Sequence, residues 1–277
     1  MKHRYVVAVS GGVDSVVLLH MLAQSSADIV VAHFDHGIRP ESADDAAFVA
    51  KLARTYNLPF KMAREELGPD ASEEHARNRR YTFLKSVAEP LGAHIVTAHH
   101  ADDVIETVAI NTTRGTGWRG LSVMDSGIVR PLLDTSKQEI IDYATAHGLT
   151  WREDSTNVSD AYLRNRLRQK LAQMDDDAKR QLLALRAHQI GVKKHIDNEV
   201  ARFVGNGPTY DRYFFTHIPG SVAVECLRAV TDARLTRPQL ERMLVMIKTA
   251  KPGTKHHAGA GVEVRFTSRN FTVQLIK

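Results

Sequence analysis

Short apolar runs alternate with helical patterns along the first half of the chain, and this alternation constrains the fold more than any other feature. Tyr5–Val9 (YVVAV) and Ile29–Phe34 (IVVAHF) are continuous apolar runs, as in parallel strands that are buried on both faces. A helical pattern follows each run, at Val16–Leu22 and at Glu41–Tyr56. This order predicts an α/β fold, a parallel sheet with helices on both faces.

The same alternation continues to about residue 147. It predicts three more strands and three more helices, and ligands of such sheets bind beyond the carboxyl ends of the strands. The strands are expected at Pro59–Arg64, His94–His99 and Gly127–Leu133, and the helices at Glu73–Ala88, Ala101–Thr113 and Ser136–His147.

A second, smaller domain is predicted where the alternation stops, after about Asp175. We therefore expect a larger α/β domain at 1–180 and a small C-terminal α+β domain at 181–277. The second domain is predicted to contain helices at Gln181–Phe203, Gly220–Val230 and Arg237–Thr249, and a hairpin of Val262–Phe266 with Phe271–Ile276.

The composition excludes several classes of protein. Cys226 is the single cysteine among 277 residues, so an internal disulfide and a CxxC metal site are excluded and a reducing cytoplasm is expected. No apolar run is long enough to predict a membrane span or a signal peptide. Lys and Arg total 37 against 32 Asp and Glu, which gives 37 − 32 = +5, and this basic balance favours a polyanionic partner.

The string SGGVDS, at Ser10–Ser15, joins the first strand to the first helix. Glycines let the backbone approach an oxyanion, and the helix N-terminus adds amide donors and a positive dipole end. Asp14 would repel a phosphate unless Mg²⁺ lay between them. The alternative is a tight turn capped by Asp14 or Ser15, but the whole string in this context favours a phosphate site.

A second glycine pattern, GTGWRG at residues 115–120, matches the dinucleotide-binding GxGxxG. A helix is predicted before it instead of a strand, so we interpret it as a flexible loop with Trp118 and Arg119 at its tip.

Acidic residues follow two other strands. Asp35 comes after the second strand, where an acidic residue can bind a ribose hydroxyl or cap the next helix. Asp103 and Glu106 are three residues apart, so they share a helix face and could bind a metal, act as acid and base, or hold an ammonium group. The adjacent His99 and His100 suggest zinc at first sight, but no third or fourth ligand follows at a recognisable spacing, so the sequence does not favour a zinc site.

Two basic segments, Glu74–Tyr81 and Tyr162–Arg168, are either solvated helix faces or parts of an RNA surface. With Arg114, Trp118 and Arg119 they would suit an RNA backbone and an unstacked base held by an aromatic ring.

Taken in order, these motifs resemble the tRNA(Ile)-lysidine synthetase family of PP-loop ATP pyrophosphatases, and they cover most of residues 1–170. The resembling segments are Ser10–Ser15, His33–Ser42, Ala76–Tyr81, Ala98–Thr107, Arg114–Leu121, Arg130–Leu133 and Glu153–Asn165. Relatives often carry two small C-terminal domains, and only the first is expected here. The resemblance implies that residues 1–180 form the PP-loop catalytic domain and that the domain at 181–277 contacts tRNA.

The resemblance implies ATP and Mg²⁺ as cofactors, with free lysine and the CAU-anticodon isoleucine tRNA as partners. ATP would activate the wobble cytidine, releasing pyrophosphate, and lysine would then displace AMP to give lysidine. By resemblance, pyrophosphate and Mg²⁺ are held by the loop residues Ser10, Gly11, Gly12, Asp14 and Ser15. Asp35 would lie near adenosine, His36 would assist transfer, and Asp103 and Glu106 would bind or deprotonate lysine. RNA or phosphate would be contacted by Arg77, Arg80, Arg114 and Arg164.

Three other classes stay open on the sequence. A tRNA thiolase would need persulfide or iron–sulfur chemistry, which a lone Cys226 argues against. An ammonia-using synthetase would not need a basic surface, and a non-catalytic nucleotide-binding module would not need the HHxDDxxET cluster. The sequence leaves the oligomeric state open.

Overall fold

The computed structural model describes residues 3–37, 42–68, 71–152, 171, 173–205 and 207–276. They form two compact units, Met1–Gln189 and Ile190–Lys277. The division falls after Gln189, within the long helix Asp176–Val204. That the second unit contacts tRNA stays a prediction.

The first unit is built on a parallel sheet of four strands in the order β3-β2-β1-β4. Its strands are β1 (Arg4–Ala8), β2 (Asp28–Asp35), β3 (Phe60–Arg64) and β4 (His94–Val96), and its helices are α1 (Val13–Ala23), α2 (Ser42–Thr55), α3 (Glu73–Ala88), α4 (Ala101–Thr113) and α5 (Lys137–Ala146).

Alternate side chains of the central strands enter separate cores, as the pleat of a strand requires. Val7 and Val31 pack in a core that includes residues of α1, α2 and α5. Val6 and Val30 pack in another core, with Leu84 of α3. This arrangement confirms the predicted α/β fold with helices on both faces of a parallel sheet.

The prediction of a fifth strand at Gly127–Leu133 is wrong. The segment is reduced to one isolated bridge, in which Val129 N–H donates to Ile95 O at 2.9 Å and Val129 O accepts from Thr97 N–H at 3.0 Å. Pro131 has no N–H to continue the ladder, and the chain turns there. The strand predicted at His94–His99 likewise ends at Val96.

The second unit contains an antiparallel sheet in the order β5-β8-β7-β6, packed with helices around a core that includes Phe215, Met243 and Phe271. The predicted hairpin is its centre, and two edge strands are added to it. The elements after α6 (Asp176–Val204) are β5 (Thr209–Asp211), α7 (Arg212–His217), α8 (Gly220–Val230), α9 (Arg237–Thr249), β6 (Lys255–Gly259), β7 (Val262–Phe266) and β8 (Asn270–Leu275).

In the described part of the chain, no helix combines the length and the apolar character that crossing a bilayer requires.

Candidate nucleotide site

Polar side chains gather at the carboxyl edge of the parallel sheet, where α/β sheets bind their ligands. Ser10 follows β1, Asp35 ends β2, and His100 follows β4. Because β1 lies between β2 and β4, these three strand ends are neighbours.

The loop between β1 and α1 is organised by Ser15. Its Oγ accepts the N–H groups of Ser10 and Gly11, each at 3.2 Å, and donates to Gly12 O at 2.9 Å. Gly11 has φ +101°, which a residue with a Cβ rarely adopts. Gly12 is the N-cap of α1 and brings no capping side chain, so the sequence-based alternative of a turn capped by Asp14 or Ser15 is not what the structure shows. An uncapped helix N-terminus next to such a loop suits an anion.

Asp14, in the first turn of α1, lies against a cation that the sequence analysis missed. The Lys137 ammonium, at the start of α5, donates to Asp14 Oδ1 at 2.5 Å. The His100 imidazole is also close, with Nε2 3.9 Å from the same oxygen. The negative charge of Asp14 is therefore compensated within the protein.

The predicted carboxylate pair lies on α4 beside the loop. Asp103 Oδ2 accepts the backbone N–H of His100 at 3.0 Å and lies 3.5 Å from His100 Nε2. Burial raises the pKa of Asp103; the neighbouring Asp14 and Glu106 carboxylates act in the same direction, and His100 opposes them. Glu106 is itself buried. The His100 ring therefore lies between Asp14 of the loop and Asp103 of the pair.

The pKa values of two ionisable groups in this cluster are shifted toward the charged form. Burial alone would lower the pKa of His100, but the carboxylates of Asp102, Asp103 and Asp14 raise it above its usual value. Asp102 in turn has its pKa lowered to about 2, chiefly by His100, and it accepts the Lys137 backbone N–H at 2.8 Å.

His99 is influenced by several arginine side chains. Its pKa is lowered to about 3 by burial and then by the positive charges of Arg130, Arg77 and Arg80. Its Nδ1 lies 2.8 Å from Thr97 Oγ1. The structure thus brings Arg77 and Arg80 of α3 close enough to His99 to affect its charge.

Asp35 is buried and already has partners. Its Oδ1 accepts Gly37 N–H at 2.8 Å, and its Oδ2 lies 3.3 Å from Arg64 Nη1. It therefore forms a local turn and does not cap α2, which begins at Ser42. His36 stacks edge-on against Phe34, with ring centroids 4.8 Å apart.

The remaining predicted residues lie farther along the chain. Arg114 is the C-cap of α4. The expected flexible loop at 115–120 instead enters a 3-10 turn, Trp118–Leu121, in which Arg119 lies over the Trp118 ring at 4.6 Å. The Glu153–Asn165 motif and the basic segment Tyr162–Arg168, which includes Arg164, lie outside the described residues.

Arg152 is a further residue to which sequence reasoning gave no role. Its N–H donates to Gly11 O at 2.9 Å, and its side chain pairs with Asp45 of α2 at 3.0 Å. A long-range contact of this kind leaves no local signal in the sequence.

Residues 1–175 match the family model described as the PP-loop domain. A curated tRNA(Ile)-lysidine synthase of Exiguobacterium sibiricum is 41% identical over 177 residues, which is 61% of this chain and 43% of the relative. The enzyme of the same name from Geobacter sulfurreducens is 43% identical over 184 residues, 61% of this chain and 39% of the relative. The chain thus spans less than half the length of these relatives.

Among solved structures, a U34-tRNA thiolase from Methanococcus maripaludis with its [4Fe-4S] cluster has a similar fold. The TM-score is 0.58 at 16% identity, over 70% of this chain and 72% of that one. The likeness concerns the fold alone. The matched residues include β1, the phosphate loop, α1 and the acidic pair of α4. This chain therefore belongs to the PP-loop family, which implies that it binds ATP.

Proposed function

We propose that this protein joins lysine to the wobble cytidine of the CAU-anticodon isoleucine tRNA, using ATP and forming lysidine, AMP and pyrophosphate. The observation that carries the proposal is the position of His100, 3.9 Å from Asp14 of the phosphate loop and 3.5 Å from Asp103 of the acidic pair. The proposed nucleotide site and the proposed site for an alkylamine would thus be adjacent. The names of the curated relatives support the same reaction.

In the first step, the loop of Ser10, Gly11, Gly12, Asp14 and Ser15 would hold the triphosphate while the cytidine 2-carbonyl oxygen attacks the α-phosphate. The new bond is the oxygen–phosphorus bond, and pyrophosphate leaves. Asp35 and His36, at the end of β2, would lie near the adenosine and assist the transfer.

Mg²⁺ fits this site through Asp14. Mg²⁺ prefers one or two carboxylates together with substrate phosphates and water, so a preformed cage is not required. Among the described residues, no three or more His, Cys, Asp or Glu side chains are grouped so that they could hold a metal ion by themselves. When bound, Mg²⁺ would neutralise charge on the phosphates.

In the second step, Asp103 and Glu106 would attract the ε-ammonium of lysine and accept its proton. The free amine then forms a bond to C2 of the cytidine, and AMP leaves with the bonding electrons. A carboxylate with a raised pKa is a better base than an ordinary one, and burial raises the pKa of Asp103. A protonated amine has no lone pair to donate, so this transfer is necessary.

The RNA would be held by arginines around the site. Arg77 and Arg80 lie near His99, and their guanidinium carbons lie 5.1 and 5.5 Å from the Tyr81 ring centroid. Arg114 and Arg164 are the other proposed contacts. An unpaired anticodon base can be reached without opening a helix.

Sulfur chemistry is not favoured, although the solved neighbour is a thiolase. The single cysteine of the sequence, Cys226, is buried in the core of the second unit. A persulfide or a cluster needs an accessible thiolate.

The test is incubation of the purified protein with ATP, Mg²⁺, labelled lysine and a CAU-anticodon isoleucine tRNA. We expect ATP-dependent transfer of label to the tRNA and release of AMP. Incorporation of another amine or of sulfur, but not of lysine, would contradict the proposal. A tRNA in which U replaces the wobble cytidine is the matched negative control.

A further inference from the structure

Lys137 connects three helices at the phosphate loop. Its ammonium pairs with Asp14 of α1, and its backbone N–H donates to Asp102 of α4. Lys137 itself is the first residue of α5. No motif of the sequence analysis drew attention to it.

The backbone of Lys137 is fixed, while its side chain has room to move. Ser136 caps α5, and Glu139 Oε2 accepts Ser136 N–H at 2.7 Å, so the residue before Lys137 is held from both sides. The Lys137 side chain is nevertheless 41% exposed, and that of Asp14 is 29% exposed. The ammonium can therefore exchange partners without any change in the helix.

The two possible partners of the ammonium carry different charge. Asp14 offers one negative charge, whereas the β- and γ-phosphates of ATP carry several. A lysine ammonium has three donors and binds phosphate as a compact point charge. Mg²⁺ prefers carboxylate oxygen, so a metal that arrives with ATP would take over Asp14.

We propose that Lys137 is a phosphate-binding residue of the site, paired with Asp14 in the free protein and with the β- and γ-phosphates when nucleotide binds. The ammonium would then remain with the leaving pyrophosphate. This inference deepens the proposed function, since it requires a nucleotide at this loop, but it does not depend on which amine or RNA is used.

The test compares Lys137→Met with the parent protein by calorimetric titration in the presence of Mg²⁺, without tRNA or lysine. ATP and pyrophosphate contain the β- and γ-phosphates or their equivalent, and AMP lacks them. We expect Lys137→Met to weaken ATP and pyrophosphate binding by about tenfold or more, since a charged hydrogen bond is lost. AMP binding should change by less than about twofold on the same scale.

Three controls keep the result interpretable. Lys85→Met removes an exposed positive charge from α3 and should change none of the three affinities. Lys137→Arg keeps the charge and should restore much of the ATP affinity. Lys137→Gln replaces Lys137→Met if the latter does not fold, which circular dichroism decides.

An equal loss of ATP and AMP affinity, or no loss of either, would overturn the inference, because it would make Lys137 structural or irrelevant. The proposed function fails differently: the parent protein would bind ATP in the Lys137-dependent way but would not transfer lysine to tRNA.

Discussion

Asp103 and Glu106 share one face of α4, and Asp103 lies 3.5 Å from His100, which is itself close to Asp14 of the phosphate loop. We expect Asp103→Asn to reduce lysine transfer by about 10²- to 10⁴-fold, because an amide of the same shape cannot accept the proton of the incoming amine. ATP affinity should change by less than about threefold. The measurement is label transfer to tRNA, alongside titration of ATP.

Glu106→Gln is the companion variant, since it removes the other carboxylate of the pair. If Asp103→Asn lowered ATP affinity as much as lysine transfer, Asp103 would belong to the nucleotide site and its proposed role would be wrong.

The sequence predicted those parts of the site that are close together along the chain. The spacing of Asp103 and Glu106, and the string at Ser10–Ser15, both lie within one turn or loop. The pairing of Lys137 with Asp14 spans 123 residues, so it depends on how α5 packs beside α1 and has no local pattern. Arg152 was missed for the same reason, because its partners Gly11 and Asp45 are also distant.

The capping box of Ser136 and Glu139 fixes the start of α5, where Lys137 lies, and its contribution to the stability of the fold depends on pH. Ser136 donates its N–H and its hydroxyl to Glu139 Oε2, each at 2.7 Å, and these bonds lower the pKa of Glu139. A pKa that is lower in the folded state stabilises the fold at pH values above the unfolded pKa, about 4.3, and this contribution is lost as the pH falls through the folded pKa.

Glu139→Gln should therefore lower the denaturation midpoint at pH 7, and the difference from the parent protein should shrink as the pH falls below about 4.3. Urea unfolding followed by circular dichroism measures both. Asp142→Asn removes a carboxyl from the same helix outside the cap and serves as the control. A difference that stays constant down to pH 3 would show that the cap carboxylate is not the cause.

Arg212 holds together the second unit at the point where α7 begins. Its guanidinium donates to Ile247 O, Thr267 O and Ala250 O, each at 2.9 Å. These carbonyls belong to the end of α9 and to the turn after β7. One side chain therefore satisfies three backbone groups that no helix or strand ladder satisfies.

We expect Arg212→Ala to destabilise the protein by roughly 2 kcal/mol, because hydrogen bonds to a charged group are lost and their acceptors must be solvated again. The lysine of Arg212→Lys cannot reproduce the planar, forked geometry of the guanidinium, so the stability of this variant should lie between those of the parent protein and Arg212→Ala. Thermal unfolding of the three proteins is the measurement. Equal stability of the Ala and parent proteins would mean that water satisfies the carbonyls equally well.

Elements with strong periodicity were predicted well, and short edge strands were not. The helices at Gly220–Val230 and Arg237–Thr249 have the predicted bounds. By contrast, β6 has the sequence KHHAG and β5 has only three residues, so neither shows an apolar alternation. Edge strands are specified by pairing with their neighbour, here β7 and β8, more than by their own side chains.

The charge of the whole chain, +5, gains a functional meaning only through where the positive groups lie. Three arginines of α3 are close in sequence but differ in their surroundings. Arg79 pairs with Glu65 at 2.8 Å, whereas Arg77 and Arg80 lie near His99 and contribute to its lowered pKa. A phosphate contact by an arginine releases counterions, so it should appear in the salt dependence of tRNA binding.

We expect the double variant Arg77→Gln/Arg80→Gln to weaken tRNA binding and to reduce the slope of log K against log salt by roughly one to two, since each neutralised phosphate contributes about 0.7 to 0.9. Arg79→Gln lies on the same helix and removes the same type of charge from an existing ion pair, so it should leave the slope nearly unchanged. Filter binding of the tRNA at several salt concentrations provides both slopes. If Arg79→Gln reduced the slope as much per arginine as the double variant, binding would reflect net charge alone, and the side of α3 near His99 would not be the RNA surface.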